Sequence, residues 1–423
     1  MVVADMKISR KKYFTAMRIF TALFIVGVAE VSFAQSAQQS YVVNELEVTI
    51  EGRVHPMQAR EQAVAKATEQ GFQVLLNRLT PEHTKSRHQE VINKTDMSRV
   101  LDRFNIIRET TDKDYKAVFN LRYKRDYIRN LFSRFALPFS EIGAGPVLLL
   151  PVMDLGDRQL LWEETNPWRA KLKEAAQGAG LVKFILPAGD PQEIMTLTPE
   201  MVAFGAGDMI MSVAKKYNAE AAVVARFQMG IAPDGSREAL LDLTWYGEQN
   251  VPSKYLQIPL KSEQGLDMAM GTVAQQAIDT VQDAWRQLYM VDFDHPGQVL
   301  VYGAINTAEE LQNIRQKFQD IPIVDSVLLR RVSANETVLQ ANYFGTVEKL
   351  KTLATENALN LIDWNQKLVL DLGDEQANAD AYGVRAIERS QPMDQANIHP
   401  ERIPQGFMSA PLNGVESEQF NGR

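Results

Sequence analysis

The sequence predicts a mixed α+β and α/β protein, built from three consecutive small α/β units and a disordered C-terminal tail. Three observations support this prediction. The chain has 423 residues, which is enough for two to three domains of about 150 residues each. Apolar residues make up 45% of it, an ordinary globular share. Strand-like alternation, buried apolar runs and helical stripes also follow one another along the chain.

The first unit is predicted over residues 41–139, with the order β-α-β-β-α. Residues 45–51 alternate between polar and apolar side chains, as in a half-buried strand. Pro56 suits the first turn of the helix that follows, because its missing N–H has no partner there. The polar stretch 80–94 predicts a loop. Two further strands, the second over residues 115–123, and a helix complete the unit.

The second unit is predicted over residues 146–290 as an α/β domain with a long closing helix. Residues 147–152 are apolar without interruption, as in a strand that is covered on both faces. Similar runs at 181–186 and 221–227 alternate with helical segments, which favours parallel strands. The closing helix carries one apolar stripe along residues 266–288.

The third unit is predicted over residues 298–372. Thr307 and Glu310 have the spacing of a capping box at a helix start, and Asn335 is expected in a turn between two strands. The element order β-α-β-β-α-β is typical of the ferredoxin-like pattern. From residue 373 to residue 423 apolar residues become sparse and lose periodicity, which predicts a disordered tail.

Charge and cysteine content exclude several classes of protein. The formal net charge is -8, whereas a sequence-independent nucleic-acid binder needs a cationic face to displace counterions. We therefore expect no nucleic-acid partner. The chain contains no cysteine, which excludes disulfides, iron–sulfur clusters, thiolate zinc sites and cysteine nucleophiles.

The N-terminal residues 1–34 have the layout of a secretory signal peptide. A basic cluster at 7–12 precedes an apolar run at 19–28, and the small residues Ser32 and Ala34 stand before the expected cleavage site. This predicts a periplasmic protein. It is not a lipoprotein, because that anchor requires a cysteine, and we expect no transmembrane segment in the mature chain. The alternative is an uncleaved N-terminus that anchors the protein in the inner membrane.

Several segments resemble one proteobacterial family of exported envelope proteins. The first strand and helix carry part of the resemblance, from Val48 to Leu79, and the rest lies in the second unit at Leu148–Pro151, Leu160–Arg169 and Pro187–Asp190. The family is known only as a domain of unknown function, number twenty sixty-six. The resemblance covers most of the chain from Tyr41 to Asp371 and implies an envelope location. It implies no activity, substrate or catalytic residue.

One group of side chains in the second unit is a candidate ligand-binding site. Asp154, at the end of the first strand of this unit, lies where ligands bind in open α/β sheets. Trp162 and Trp168 lie beside carboxylates in the sequence, and such a combination suits the binding of a sugar ring. The alternative, which we favour, is that the tryptophans pack the loop against the sheet. In that case Asn166 and Glu164 cap the next helix. The candidate residues are Asp154, Trp162, Glu163, Glu164, Asn166, Trp168 and Asp190.

No residue pattern predicts a metal site, a cofactor site or a catalytic site. The zinc-site spacing HExxH, the phosphate-binding P-loop and the nucleophile elbow G-x-S-x-G are all missing from the sequence. His83 and His88 fall in the predicted polar loop, and a solvated loop explains them better than a metal site does.

These observations favour a non-catalytic periplasmic protein. We expect an interaction, assembly or scaffold factor of the cell envelope, which uses exposed sheet edges or the loop around Trp162 to hold another envelope protein. One alternative is a small-molecule or glycan-binding protein that uses the loop from Asp154 to Trp168. A third, less favoured, is a cell-wall glycan hydrolase acting through Glu163 or Glu164.

Overall fold

The computed structural model shows a mixed α+β protein with three β-sheets. The predicted signal peptide, the predicted tail and the turn at Asn335 lie outside the residues that it describes. The described residues are 37–52, 55–178, 180–261, 265–333 and 336–371.

The first sheet is antiparallel and has the order β1-β3-β2. A helix of 24 residues packs on one of its faces. Gly71 permits this close contact, because a Cβ there would collide with the hydroxyl of Tyr123. The elements of this part of the chain are β1 (Val42–Ile50), α1 (Pro56–Leu79), α2 (Lys85–Asn93), α3 (Met97–Val100), β2 (Leu101–Thr111), β3 (Tyr115–Tyr123) and α4 (Arg125–Arg134).

The prediction of a loop over residues 80–94 is wrong. A short 3-10 turn at Glu82–Thr84 leads directly into α2. His88 is buried within α2, and its ring nitrogens contact the Thr80 hydroxyl at 2.8 Å and the Gln73 amide at 3.3 Å. Burial lowers the pKa of His88, so this histidine is a neutral structural group and not part of a solvated loop.

The second sheet has the order β5-β4-β7-β8-β9, and β6 also pairs with β4. The predicted parallel pairing is confirmed, because β4 runs parallel to both β6 and β7. The later strands β8 and β9 are antiparallel additions. The strands are β4 (Pro146–Asp154), β5 (Gln159–Leu160), β6 (Lys183–Ile185), β7 (Ala221–Ile231), β8 (Arg237–Tyr246) and β9 (Lys254–Pro259).

Helices cover both faces of the second sheet. Val147 and Leu149 of β4 face one cluster with Trp168, whereas Leu148 and Leu150 face a second cluster with Ile210. This alternation explains the uninterrupted apolar run, since side chains on either face of a covered strand are buried. The helices are α5 (Pro167–Ala175), α6 (Pro191–Thr196), α7 (Pro199–Ala203), α8 (Gly207–Lys216) and α9 (Leu266–Tyr289).

The third sheet has five strands in the order β11-β12-β10-β14-β13. The predicted helix start is confirmed, because the Thr307 side chain accepts a hydrogen bond from the Glu310 backbone N–H at 3.1 Å. The elements are β10 (Pro296–Gly303), α10 (Ala308–Asp320), β11 (Val324–Val332), β12 (Thr337–Phe344), α11 (Val347–Glu356), β13 (Asn360–Trp364) and β14 (Lys367–Asp371).

The third sheet departs from the predicted order β-α-β-β-α-β by one strand. β13 was not predicted, and it forms a hairpin with β14 at the edge of the sheet. The hairpin reverses the chain, and β14 therefore runs parallel to β10.

The three sheets share one continuous apolar core. They meet where the end of α9 contacts the segment before β4. Phe139 forms a β-bridge with Val291 and stacks on Phe293, and the Trp285 indole N–H donates to the carbonyl of Ile142 at 2.7 Å. Packing of aromatic side chains therefore holds the parts together.

Candidate interaction surface

Asp154 stands at the carboxyl end of β4, as predicted, but its carboxylate is already occupied. It pairs with Arg226 of β7, whose Nε lies 3.1 Å from Oδ2, and it accepts the Gly156 N–H at 2.8 Å. Burial alone would raise the pKa of Asp154, but the hydrogen bonds from Arg226 and Gly156 outweigh burial and lower it. Asp154 is thus an ionised structural group, which binds the turn after β4 and the neighbouring strand β7 through hydrogen bonds.

The two tryptophans of the candidate site both have structural partners. Trp168 is 0% exposed, stacks on Phe227 with ring centroids 5.0 Å apart, and donates its indole N–H to the carbonyl of Ala225 at 2.8 Å. Trp162 is half-buried and donates to the carbonyl of Leu197 at 2.8 Å. Trp168 therefore offers no face to a ligand, and Trp162 connects the loop to the segment between α6 and α7.

The polar residues of the same loop divide into a cap and two exposed carboxylates. Asn166 is buried, accepts from the Arg169 N–H at the start of α5, and donates to the carbonyl of Pro151 at 3.0 Å. Glu163 accepts the N–H of Leu161 at 2.8 Å. Glu163 and Glu164 are both exposed, so the loop presents negative charge to the solvent.

Asp190 belongs to a separate cluster at the start of α6. It forms a reciprocal capping box with Glu193 and an ion pair with Lys216. Glu193 is only 1% exposed and accepts from Lys216 at 2.8 Å and from the Tyr217 hydroxyl. Burial would raise the pKa of Glu193, yet these hydrogen bonds lower it. The cluster ties α6 to the end of α8.

Glu193 is a residue that the sequence analysis missed. An acidic cap followed three residues later by glutamate, with Pro191 at the first helical position, is the known signature of a capping box. The pattern was therefore present in the sequence. It predicts a helix start and not a ligand site.

The short helices α6, α7 and α8 carry a surface that the sequence analysis did not predict. Large apolar side chains project from all three of them into the solvent. Met195 is 85% exposed and Phe204 is 90% exposed. We refer to these side chains as the α6–α8 surface: Ile194, Met195, Met201, Phe204 and Met209.

The α6–α8 surface stands on a rigid base. Leu197, Val202 and Ile210 alternate with its exposed residues in the sequence and are buried against β4 and β7. Trp162 contacts the edge of these buried residues, because its indole N–H donates a hydrogen bond to the carbonyl of Leu197. The exposed side chains are consequently held in place by packing beneath them, and the candidate loop lies beside the surface.

The charged residues between the exposed apolar side chains of the α6–α8 surface are acidic, whereas the last turn of α8 carries Lys215 and Lys216. Between residues 194 and 209 the only charged side chains are Glu200 and Asp208, and both are exposed. Glu163 and Glu164 add two exposed carboxylates from the adjoining loop. An apolar surface with an acidic rim suits a partner that carries apolar and cationic side chains.

Within the described ranges no group of three or more histidine, aspartate or glutamate side chains can hold a metal ion. In the same residues no helix is both long and apolar enough to cross a bilayer. Neither a protein-family model nor a curated protein sequence matches the chain.

Proposed function

We propose that this protein is a non-catalytic interaction or assembly factor of the cell envelope, which holds a partner protein on the α6–α8 surface. The observation that carries the proposal is the exposure of Met195 and Phe204 on a base that is otherwise buried. In soluble proteins large exposed apolar patches usually serve binding, and the exposed side chains come from helices that follow one another along the chain.

Methionine suits a surface of this kind. Its unbranched, polarizable side chain adapts to different partner shapes, and it is common on binding surfaces for that reason. Three of the five residues of the α6–α8 surface are methionines. A phenylalanine at the tip, Phe204, supplies the large aromatic group that dominates interface energetics.

The partner segment is an amphipathic helix with apolar and cationic side chains. Its apolar face covers the α6–α8 surface, and its cations meet Glu200, Asp208 and the loop carboxylates Glu163 and Glu164. Helices bind in this way when their apolar residues recur every three to four positions. The acidic rim accelerates association and excludes acidic partners.

The test uses two synthetic amphipathic peptides, one of leucine and lysine and one of leucine and glutamate. Binding to the full-length chain is measured by fluorescence anisotropy. We expect the lysine peptide to bind and the double variant M195S/F204S to lose that binding. Replacing the exposed Ile231 by serine (77% exposed, on β7) is the matched control and should change nothing.

Two results of this test would refute the proposal. One is equal binding of both peptides. The other is equal loss of binding in the Ile231→Ser control and in the double variant, because the effect would then not belong to the α6–α8 surface.

The envelope location and the kinship with the exported family are part of the same proposal. Both rest on residues 1–34 and on the segments of the chain that resemble that family. N-terminal sequencing of the protein from fractionated cells tests the location. The proposal requires a periplasmic form that begins at Gln35; a cytoplasmic form that begins at Met1 or Met6 refutes it.

We infer that the third sheet is a variant of the ferredoxin-like pattern, extended at one edge by β13. This assignment is supported by the neighbours of β10, which lies between β12 and β14 at the centre of the sheet. A shortened chain that ends after Trp364 would lose β14 and tests whether that strand is integral. We expect it to fail to fold its third unit, since Leu368 and Leu370 of β14 are core residues.

A further inference from the structure

Within the residues that the structure describes, one face of the first sheet is not covered by a helix. α1 packs against the odd-numbered residues of β3 from Tyr115 to Tyr123, which are all buried. The even-numbered residues point to the opposite face, together with their direct partners on β1 and β2. We call this the open face, and its residues are Val42, Glu47, Thr49, Arg103, Asn105, Arg108, Thr110, Lys116, Val118, Asn120 and Arg122.

The open face is cationic in a protein whose formal net charge is -8. It carries Arg103, Arg108, Lys116 and Arg122, against a single carboxylate, Glu47. Within the part of the chain that the structure describes, none of the four cations forms an ion pair. This concentration of positive charge favours an anionic ligand.

Arg103 and Arg122 are directly opposite each other on neighbouring strands. Like charges in a cross-strand pair destabilise a sheet. A pair of this kind, without a carboxylate to compensate it, is explained if a bound anion lies between the two guanidinium groups. Arginine forms two parallel hydrogen bonds to a carboxylate or phosphate, and two arginines can therefore hold one such group.

Three clefts meet at Arg122; one of them also has Asp102 and Asp126 in its lining, and the proposed path uses the other two. The first, of about 340 Å³, is lined by Arg103 and by the amides of Asn44, Asn105 and Asn120. The second, of about 510 Å³, lies between β1 and the residues Gly178, Gly180 and Leu181, and adds Lys183. Among the described residues, no acidic side chain lines either of these two clefts. Together with the strand face they form one continuous cationic path.

The path is long and carries no aromatic side chain on the open face. From Arg122 to Lys116 it extends about 20 Å, at the usual rise per residue of a strand, so it suits an extended ligand. Single-stranded nucleic acids are held by successive bases that stack on several aromatic residues; among the described residues the open face has none and the smaller cleft has one, Phe104. Asparagine and threonine side chains between the cations provide hydrogen bonds for hydroxyl groups.

From this geometry we infer that the open face and its two clefts bind an acidic polysaccharide. The carboxylate or phosphate groups of the polymer pair with Arg103, Arg122 and Lys183, and its hydroxyls bond to the asparagine amides. The site is separate from the α6–α8 surface. The protein would thus hold a partner protein on one side and an anionic glycan on another.

The experiment measures binding of sodium polygalacturonate, an unbranched uronate polymer, to the full-length chain by calorimetry at low salt. Neutral dextran is the uncharged control. We expect binding of polygalacturonate only, weakening as salt is added. The variant R103Q/K183Q removes two exposed cations and should weaken binding about 2- to 30-fold, the effect of two surface charge contacts.

The matched control is K215Q/K254Q, which removes the same charge from exposed positions away from the clefts. This control should leave the affinity for polygalacturonate unchanged. The conservative variant R103K/K183R keeps both charges and should retain most of the affinity that R103Q/K183Q loses. Equal weakening by both glutamine pairs would overturn the site, because net charge alone would explain the binding. Failure to bind polygalacturonate, or tighter binding to single-stranded DNA or to phosphatidylglycerol vesicles, would overturn the ligand class.

Discussion

Replacement of Trp168 by alanine distinguishes packing from ligand binding most sharply. The indole is 0% exposed, stacks on Phe227, and makes a buried hydrogen bond to the carbonyl of Ala225. We expect Trp168→Ala to lower the free energy of unfolding, because a cavity replaces the ring and the carbonyl loses its donor.

The expected loss is about 3–5 kcal/mol, the range for tryptophan or phenylalanine to alanine in a core. Total stabilities of domains are about 5–15 kcal/mol, and the loss is therefore a large fraction. The assay is urea unfolding of the full-length chain, followed by far-ultraviolet circular dichroism. Phe204→Ala is the control; it removes an aromatic ring that is 90% exposed and should change the free energy by at most about 0.5 kcal/mol.

A loss below about 1 kcal/mol for Trp168→Ala would refute the reasoning, because a fully buried ring cannot be removed at so small a cost. A loss of about 3–5 kcal/mol in Phe204→Ala, the range for a buried ring, would also contradict the account. It would mean that the exposed ring packs against the fold and is not available to a partner.

Three further predictions concern charged groups. Arg226→Met should destabilise the chain by about 3 kcal/mol in urea unfolding, because it leaves the buried carboxylate of Asp154 without its partner; a neutral result would contradict this. Burial would raise the pKa of Glu141, but Arg125 and Arg129 lower it below its ordinary value of 4.5. The ionised Glu141 therefore contributes to the free energy of unfolding above that pH, and this contribution is lost as the pH falls. The stability advantage of the wild type over Glu141→Gln should shrink in acid. Burial lowers the pKa of Lys349 to about 8, so between pH 8 and 10 the unfolded chain binds more protons at this site than the folded chain does. The wild type should therefore gain stability relative to Lys349→Met as the pH rises, and a constant difference between the two free energies of unfolding would refute this prediction.

The sequence predicted β4 and β7 well, because a continuous apolar run such as that of β4 has few alternative structures. The run at 181–186, predicted as a third buried strand, forms only the three residues of β6, which are partly or fully exposed. The prediction failed over residues 80–94, since α2 buries only His88, Val91 and Ile92. A helix whose sequence is mostly polar lacks the apolar periodicity on which such a prediction depends.

β13 was missed for a different reason. Its hairpin with β14 turns through Asn365 and Gln366, which both have positive φ. Asparagine followed by glycine is the usual sequence of such a turn. Here glutamine occupies the second position, so the sequence does not indicate a turn. Turn chemistry of this kind is set by the surrounding sheet and cannot be read from the local sequence.

For the candidate site, the sequence placed Asp154 at a strand end and named packing as the favoured role of Trp168, which its burial supports. It did not predict the α6–α8 surface. Exposed Met195 and buried Leu197 are only two residues apart on the chain, and both are apolar. Only the packing of three short helices decides which of them faces the solvent.

The most direct test of the central claim is photo-crosslinking in living cells. A photoreactive amino acid is placed at position 204 in one variant and at position 231 in another, and both positions are exposed in the structure. The account predicts a discrete adduct with one envelope protein from position 204 and none from position 231. No adduct from position 204, or the same adducts from both positions, would contradict it.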